Sequence, residues 1–198
     1  MGKSKYKHRG YHKRKTNNRE LRQRFLIICE GEETEKNYFS KFRVPSIIIK
    51  IKGCGRNPSQ LFNEINNNDP QDYDQVWLVF DRDNWTPQDI QKTIAQCKKN
   101  QYQVAYSNQC FELWYVLHFQ FLNTALTRQD YSKKLDKLLD HPYAKNSESI
   151  YDELLDFQKT AIKNATRLLQ NYNPPNPVKD DPSTTVHQLV QELNKYAH

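Results

Sequence analysis

The sequence predicts an α/β fold: a mostly parallel sheet of four to five strands flanked by helices, followed by a helical C-terminal part. Three observations carry that prediction. Short runs rich in Val, Ile, Leu and aromatic residues recur at 24–30, 46–52, 74–81 and 102–107. Stretches with helical spacing of apolar residues lie between them, the alternation expected of strand–helix–strand units. The first and third runs show no polar alternation, as in strands covered on both faces.

Taken in order, RFLIICE at 24–30 holds five consecutive apolar residues before an acid and a glycine, which suits a buried strand better than a helix of that length. A helix over 33–42 (ETEKNYFSKF) follows, with Thr34 as its cap and Tyr38, Phe39 and Phe42 on its apolar face. SIIIKIK at 46–52 is β-branched and makes the second strand, closed by Gly53 and Gly55. Pro58 opens a helix to Asn66, and DQVWLVFD at 74–81 repeats the pattern of the first strand. Residues 87–99 are helical, and YQVAYS at 102–107 is a fourth strand. FELWYVLHF at 111–119 is apolar enough to be either a core helix or a fifth strand.

From residue 123 onward only helices are expected, at 131–140 and 147–170. Pro174, Pro175, Pro177 and Pro182 then make an irregular connector, after which Ser183 caps a last helix to about Tyr196. The expected organisation is a basic arm at 1–22, an α/β core at 23–122, and a helical extension at 123–198 packed on that core.

A chain of 198 residues fits one domain with appendages. Only 36% of it is hydrophobic, and the mean hydropathy is −0.98, yet twelve Tyr, nine Phe and three Trp supply the large side chains of a packed core. No apolar run approaches the roughly 20 residues that cross a bilayer, so the expectation is a soluble, cytoplasmic protein without a membrane partner. Cys29, Cys54, Cys97 and Cys110 form no C-x-x-C pair and read as buried thiols, not zinc ligands.

Charge is concentrated at one end. Residues 1–24 hold ten Lys and Arg against one acid, a net +9, so the rest carries −2 of the +7 total. Basicity therefore belongs to the arm, where Lys13, Arg14 and Lys15 are candidates for neutralising phosphates. A solvated tail, or contact with an acidic protein surface, is the competing reading.

The informative acids stand at strand ends, where α/β sheets bind ligands. Glu30 follows the first strand, and Asp81 and Asp83 flank Arg82 after the third. An extended D-x-D step turns both carboxylates to one side, as oxygen ligation of a hard divalent cation requires. Carboxylates gathered at successive strand ends repel one another unless a cation neutralises them. Glu112, between Phe111 and Leu113, is an acid in apolar surroundings that needs a cation or several donors. Capping and solvent binding are the alternatives for such acids.

The E-G step at Glu30-Gly31 with D-x-D at 81–83 is similar to the Toprim fold, the metal-binding domain of topoisomerases, primases and OLD-family nucleases. The segments CEGEETEKNYF (29–39), GCGRNP (53–58), DRD (81–83), SNQCFELWYVLHF (107–119) and PSTTVHQLV (182–190) together resemble the RloB family, relatives of the AbiLii component of abortive-infection systems. The resemblance runs from about Arg24 to the C terminus. It implies a Toprim-like nuclease acting in phage defence, commonly beside an ATPase partner.

On that reading Glu30, Asp81, Asp83 and Glu35 hold Mg²⁺ or Mn²⁺, with Glu30, Asp81, Asp83 and Glu112 as the catalytic set. Phosphodiester cleavage uses such a cation to polarise the phosphate and lower the pKa of an attacking water. Glu30 serves either as ligand or as general acid or base. Thr34 stands four residues after Glu30, where many relatives carry an acid, and Glu35 follows it, leaving open which of the two faces the metal. Arg56, in the glycine loop, and Arg82 join Lys13, Arg14 and Lys15 as nucleic-acid contacts. Ser107, Thr185 and His187 rank lower, with capping the plainer role for the residues before the last helix. Trp85 is a candidate for stacking on a base, whereas His118 reads as a satisfied core histidine.

The expected partners are nucleic acid, RNA (tRNA included) or DNA, and an ATPase; a homodimer is compatible. A non-catalytic regulatory subunit, or a nucleic-acid-binding protein that works through its arm, are the rival readings.

Overall fold

A computed structural model of the chain describes residues 23–42, 47–53, 58–82 and 85–196. The candidate residues Lys13, Arg14, Lys15, Arg56 and Asp83 lie outside these. Among these residues five strands and eight α-helices are found, alternating up to Phe119 and mainly helical after it. They are β1 (Gln23–Cys29), α1 (Thr34–Ser40), β2 (Ile47–Gly53), α2 (Pro58–Asn66), β3 (Gln75–Asp81), α3 (Pro87–Lys99), β4 (Gln103–Asn108), α4 (Glu112–Phe119), α5 (Arg128–Leu139), α6 (Ile150–Leu154), α7 (Gln158–Leu169), β5 (Ser183–Thr184) and α8 (Val186–Asn194).

The strands form one sheet in the order β2-β1-β3-β4-β5. β1 runs parallel to β2 and β3, and β3 runs parallel to β4. β5 is antiparallel to β4, with Ser107 opposite Thr184, so the sheet is mixed and not mostly parallel as expected. It also corrects the expectation of helices alone beyond residue 123. The reason is local: Thr184 Oγ1 donates to Tyr106 O at 2.9 Å, and Tyr106 N donates to Thr185 Oγ1 at 3.0 Å. Two residues that sequence assigns to helix capping are thereby drawn to the free edge of β4. Ser183 is not the cap of α8; Thr185 occupies that position, and Val186 N donates to Thr184 Oγ1 at 3.2 Å.

Strand alternation divides the core. Phe25, Ile27, Cys29, Trp77 and Val79 face one cluster, under α1, α4, α7 and α8, while Leu26, Ile28, Val76, Leu78 and Phe80 face the other, under α2 and α3. Both faces are covered, which accounts for the unbroken apolar runs. α4 settles the ambiguity at 111–119 in favour of a helix: Leu113 to Leu117 are all fully buried, packed against α5 and α7. The expected long helix over 147–170 is instead α6, a 3-10 turn (Leu155–Phe157) and α7.

Tyr38 is the hub of the first cluster. Its ring lies 5.2–6.5 Å from those of Phe39, Phe42, Phe111, Trp114, Tyr115, His118 and Tyr151. Aromatic pairs of this kind contribute about 0.5–1.5 kcal/mol each beyond burial. They fix a helix of only two turns, and with it Glu35, one turn earlier on α1. Thr34 is not its cap, because its hydroxyl donates to Lys145 O at 3.2 Å. Among the described residues no helix is long and apolar enough to cross a membrane, and Cys29, Cys97 and Cys110 are buried.

Candidate functional site

Parallel strands deliver two acids side by side. Glu30 directly follows β1; its N–H donates to Val79 O of β3 at 2.8 Å, and its Oε2 accepts from Asp81 N at 3.0 Å. Asp81 ends β3, where it pairs with Ser107, and Arg82 N donates to Ser107 O at 2.8 Å. Glu35 stands in the first turn of α1, and Glu112 opens α4. The four acids border one cavity of about 640 Å³, which Arg128 and Lys145 also line.

The glycines of the strand ends make room for this cluster. A Cβ on Gly31 would lie 1.8 Å from Glu35 Oε2, and one on Gly53 would lie 2.6 Å from Gly31 O and 2.8 Å from Glu32 Cα. Gly53 thus lets the turn after β1 rest on the end of β2. Gly31 lets the Glu35 carboxylate fold back over that turn, where it accepts from the backbone N–H groups of Glu35 and Gly31.

The acids feel one another. Burial pushes the Asp81 carboxyl well above the usual carboxylate range, and Glu35, Glu112 and Glu30 push it further, against the opposing charge of Arg128. The Glu35 carboxyl is also raised, chiefly by burial and next by Glu112 among the charges, with Lys145 opposing. Arg128 Nη2 lies 3.4 Å from Asp81 Oδ2, while Asp81 Oδ1 is buried with no hydrogen-bond partner among the described residues. Tyr143 donates its hydroxyl to Glu112 Oε1 at 3.2 Å, and burial followed by Glu112 raises that phenol.

A cluster of oxygen donors with an orphaned buried Oδ1 has the chemistry and charge that suit a hard divalent cation. Among the described residues, however, no group of three or more His, Cys, Asp and Glu is arranged to hold a metal ion. The fit is therefore one of donor type and charge, with the side chains not drawn in around one point.

The remaining candidates fall elsewhere. Arg82 does not border the cavity: its Nη1 donates to Asn108 Oδ1 at 3.4 Å, and its charge acts on Asp181. Ser107 and Thr185 are engaged in the β4–β5 pairing, with Ser107 Oγ 3.0 Å from Thr184 Oγ1. His187 is buried beside a separate pocket next to Tyr172, and burial lowers its pKa to about 4. His118 is buried with Nδ1 2.9 Å from Trp114 O, in keeping with a core role. Trp85 does border the cavity, its ring stacked on Phe80 at 5.6 Å. Of Thr34 and Glu35, it is Glu35 whose carboxylate acts on Asp81, the Thr34 hydroxyl being engaged by Lys145 O.

Arg128, Tyr143 and Lys145 are the residues that sequence reasoning missed. They come from α5 and from the loop after it, a region read as helical packing alone. The one available signal was Thr127, whose Oγ1 caps α5 by accepting from Asp130 N and so sets Arg128 at the first helical position.

A family model described as RloB-like protein matches residues 25–193. Comparison with curated proteins gives no match, and comparison with solved structures gives none either.

Proposed function

The chain belongs to the RloB-like family, and from that premise we propose that it is a metal-dependent nuclease with a Toprim-like core, acting on nucleic acid in an anti-phage, abortive-infection setting beside an ATPase partner. The observation that carries this reading is the gathering of Glu30, Glu35, Asp81 and Glu112 from separate segments around one cavity, together with Arg128 and Lys145. Structural acids seldom collect in this way, because each raises the cost of ionising the next.

Glu30, Glu35 and Asp81, with Asp83 two residues on, would hold Mg²⁺ or Mn²⁺. When bound, such an ion polarises the phosphate and generates a nucleophilic hydroxide from water at neutral pH. Glu112, held by the Tyr143 hydroxyl, would take up or return a proton. Asp81 N–H fixes one oxygen of Glu30 at the end of β1. The acids together with Arg128 and Lys145 supply both signs of charge that a phosphodiester and its counter-cation need.

The test is cleavage of supercoiled plasmid, single-stranded DNA and total tRNA by the purified chain with Mg²⁺, Mn²⁺ or EDTA, beside an Asp81→Asn/Asp83→Asn variant. Metal-dependent cleavage by the wild type, reduced about a hundredfold or more in the variant with its fold kept, is the expected result. Equal cleavage by the variant would remove the assigned site. Absence of cleavage with and without the ATPase would favour a non-catalytic subunit.

A further inference from the structure

A carboxylate site for a divalent ion needs oxygen donors and no aromatic ring, yet the cavity also has an indole on its lining. Trp85 stands there, four residues beyond Asp81, and is half-buried. Its backbone is tied on both sides: Trp85 N donates to Arg82 O at 3.2 Å, and Thr86 caps α3 by accepting from Asp89 N at 3.2 Å. The indole lies on the ring of Phe80, with centroids 5.6 Å apart and planes within 6° of parallel, and Phe80 is itself 1% exposed. A buried ring beneath and a held backbone on either side fix the indole in one orientation, so little side-chain freedom remains to be lost when a ligand binds.

Charge and an aromatic plane on one cavity match the two parts of a nucleotide. Lys145 supplies a cation for a phosphate, and an indole gains from stacking on any base, since every base has a π-face. The volume of about 640 Å³ lies in the range of about 300–1,000 Å³ that holds small ligands. We propose that Trp85 is the stacking platform for the base beside the phosphate bound at the carboxylates, so that the substrate is single-stranded nucleic acid. In a duplex each base is stacked on its neighbours and reaches such a ring only after it is unstacked and unpaired, a cost that a single strand avoids. The proposal rests on the reading of the cavity as a nucleic-acid site and narrows its substrate class.

The test uses the full-length chain as wild type, Trp85→Phe and Trp85→Ala, each checked for fold by circular dichroism and melting temperature. Binding is measured by fluorescence anisotropy in Ca²⁺ at about 200 mM salt, where purely electrostatic binding is weakened. The probes are short labelled RNA and DNA strands of one sequence, their duplexes, and a strand of the same length without bases. The wild type is expected to bind a single strand about tenfold or more tighter than the duplex. Trp85→Ala is expected to lose about 5–150-fold on that strand, the range of one base–aromatic stack, while Trp85→Phe keeps most of the affinity. The duplex and the strand without bases should bind all three proteins alike, and the sugar of the strand that depends on Trp85 identifies the substrate as RNA or DNA. Unchanged affinity of Trp85→Ala for both single strands overturns the stack, and an equal loss on the strand without bases makes Trp85 a packing residue. Equal binding of strand and duplex by the wild type overturns the substrate class, and metal-dependent plasmid cleavage would still leave the nuclease reading standing. If the wild type binds none of the probes, the nucleic-acid reading itself fails and the stack with it.

Discussion

At Gly31, a methyl group would sit 1.8 Å from Glu35 Oε2 and 2.8 Å from its Cδ, but the obstacle is the end of a flexible side chain. Gly31→Ala is therefore expected to fold normally, with the Glu35 carboxylate displaced and cleavage reduced about tenfold or more, as read by turnover beside an unchanged melting temperature. His118 illustrates a different use of burial. Its ring is 1% exposed, against Tyr38 and Trp114, and burial lowers its pKa from 6.5 to about 4. The unfolded chain takes up that proton first, so the stabilisation from a neutral His118 is full above pH 6.5 and is lost as pH falls to 4. The loss amounts to about 3 kcal/mol over that window. His187 acts in the same direction, whereas the raised carboxyls of Asp81 and Glu35 act in the opposite one. Urea unfolding at pH 7 and pH 4.5 should show a shallower pH dependence in His118→Leu than in wild type. Single residues were legible from sequence where position in a strand decides them: Glu30 and Asp81 were found because strand ends are where α/β sheets present ligands. Arg128, Tyr143 and Lys145 were not, because what brings them to the acids is packing between segments far apart in the chain.

At the scale of elements, the two-residue strand β5 is tied in by more hydrogen bonds than its length suggests. The Thr184 hydroxyl donates to Tyr106 O, accepts from Val186 N, and lies 3.0 Å from Ser107 Oγ, all in buried surroundings. Thr184→Val keeps the shape and removes every one of these partners. It is expected to cost about 1–3 kcal/mol, measured as a lower urea midpoint with an unchanged slope. The longer elements were legible because periodicity is strong over their length: α2 and α3 begin and end as the sequence predicts, each opened by its proline. β5 was not, since two polar residues carry no period at all, and Ser and Thr before a helix read as caps. The long helix expected over 147–170 failed for a related reason, as apolar spacing persists across the 3-10 turn that breaks it.

For the molecule as a whole, charge is divided between a net +9 over residues 1–24 and −2 over the remainder. Because the body is slightly acidic, nucleic-acid affinity should draw mainly on the arm. Deleting residues 1–20 is expected to weaken oligonucleotide binding and to flatten its dependence on salt concentration, measured by fluorescence anisotropy between 50 and about 200 mM salt. Unchanged affinity and slope would assign binding to the body instead. The class of fold was legible at this scale, but the direction of the last strand was not, because the pairing joins Ser107 to Thr184 across most of the chain's second half.

The same long reach has a consequence in time. The cavity's lining begins at Glu30 and reaches Lys145, so a ribosome adding about 5–20 residues per second needs roughly 6–25 s to pass from one to the other. During that interval the growing chain carries the Glu30 turn without Lys145, and α1 without the Tyr151 ring that packs on Tyr38. A nascent or truncated chain therefore has no complete cavity, and the order of synthesis itself delays assembly of the site until most of the protein exists.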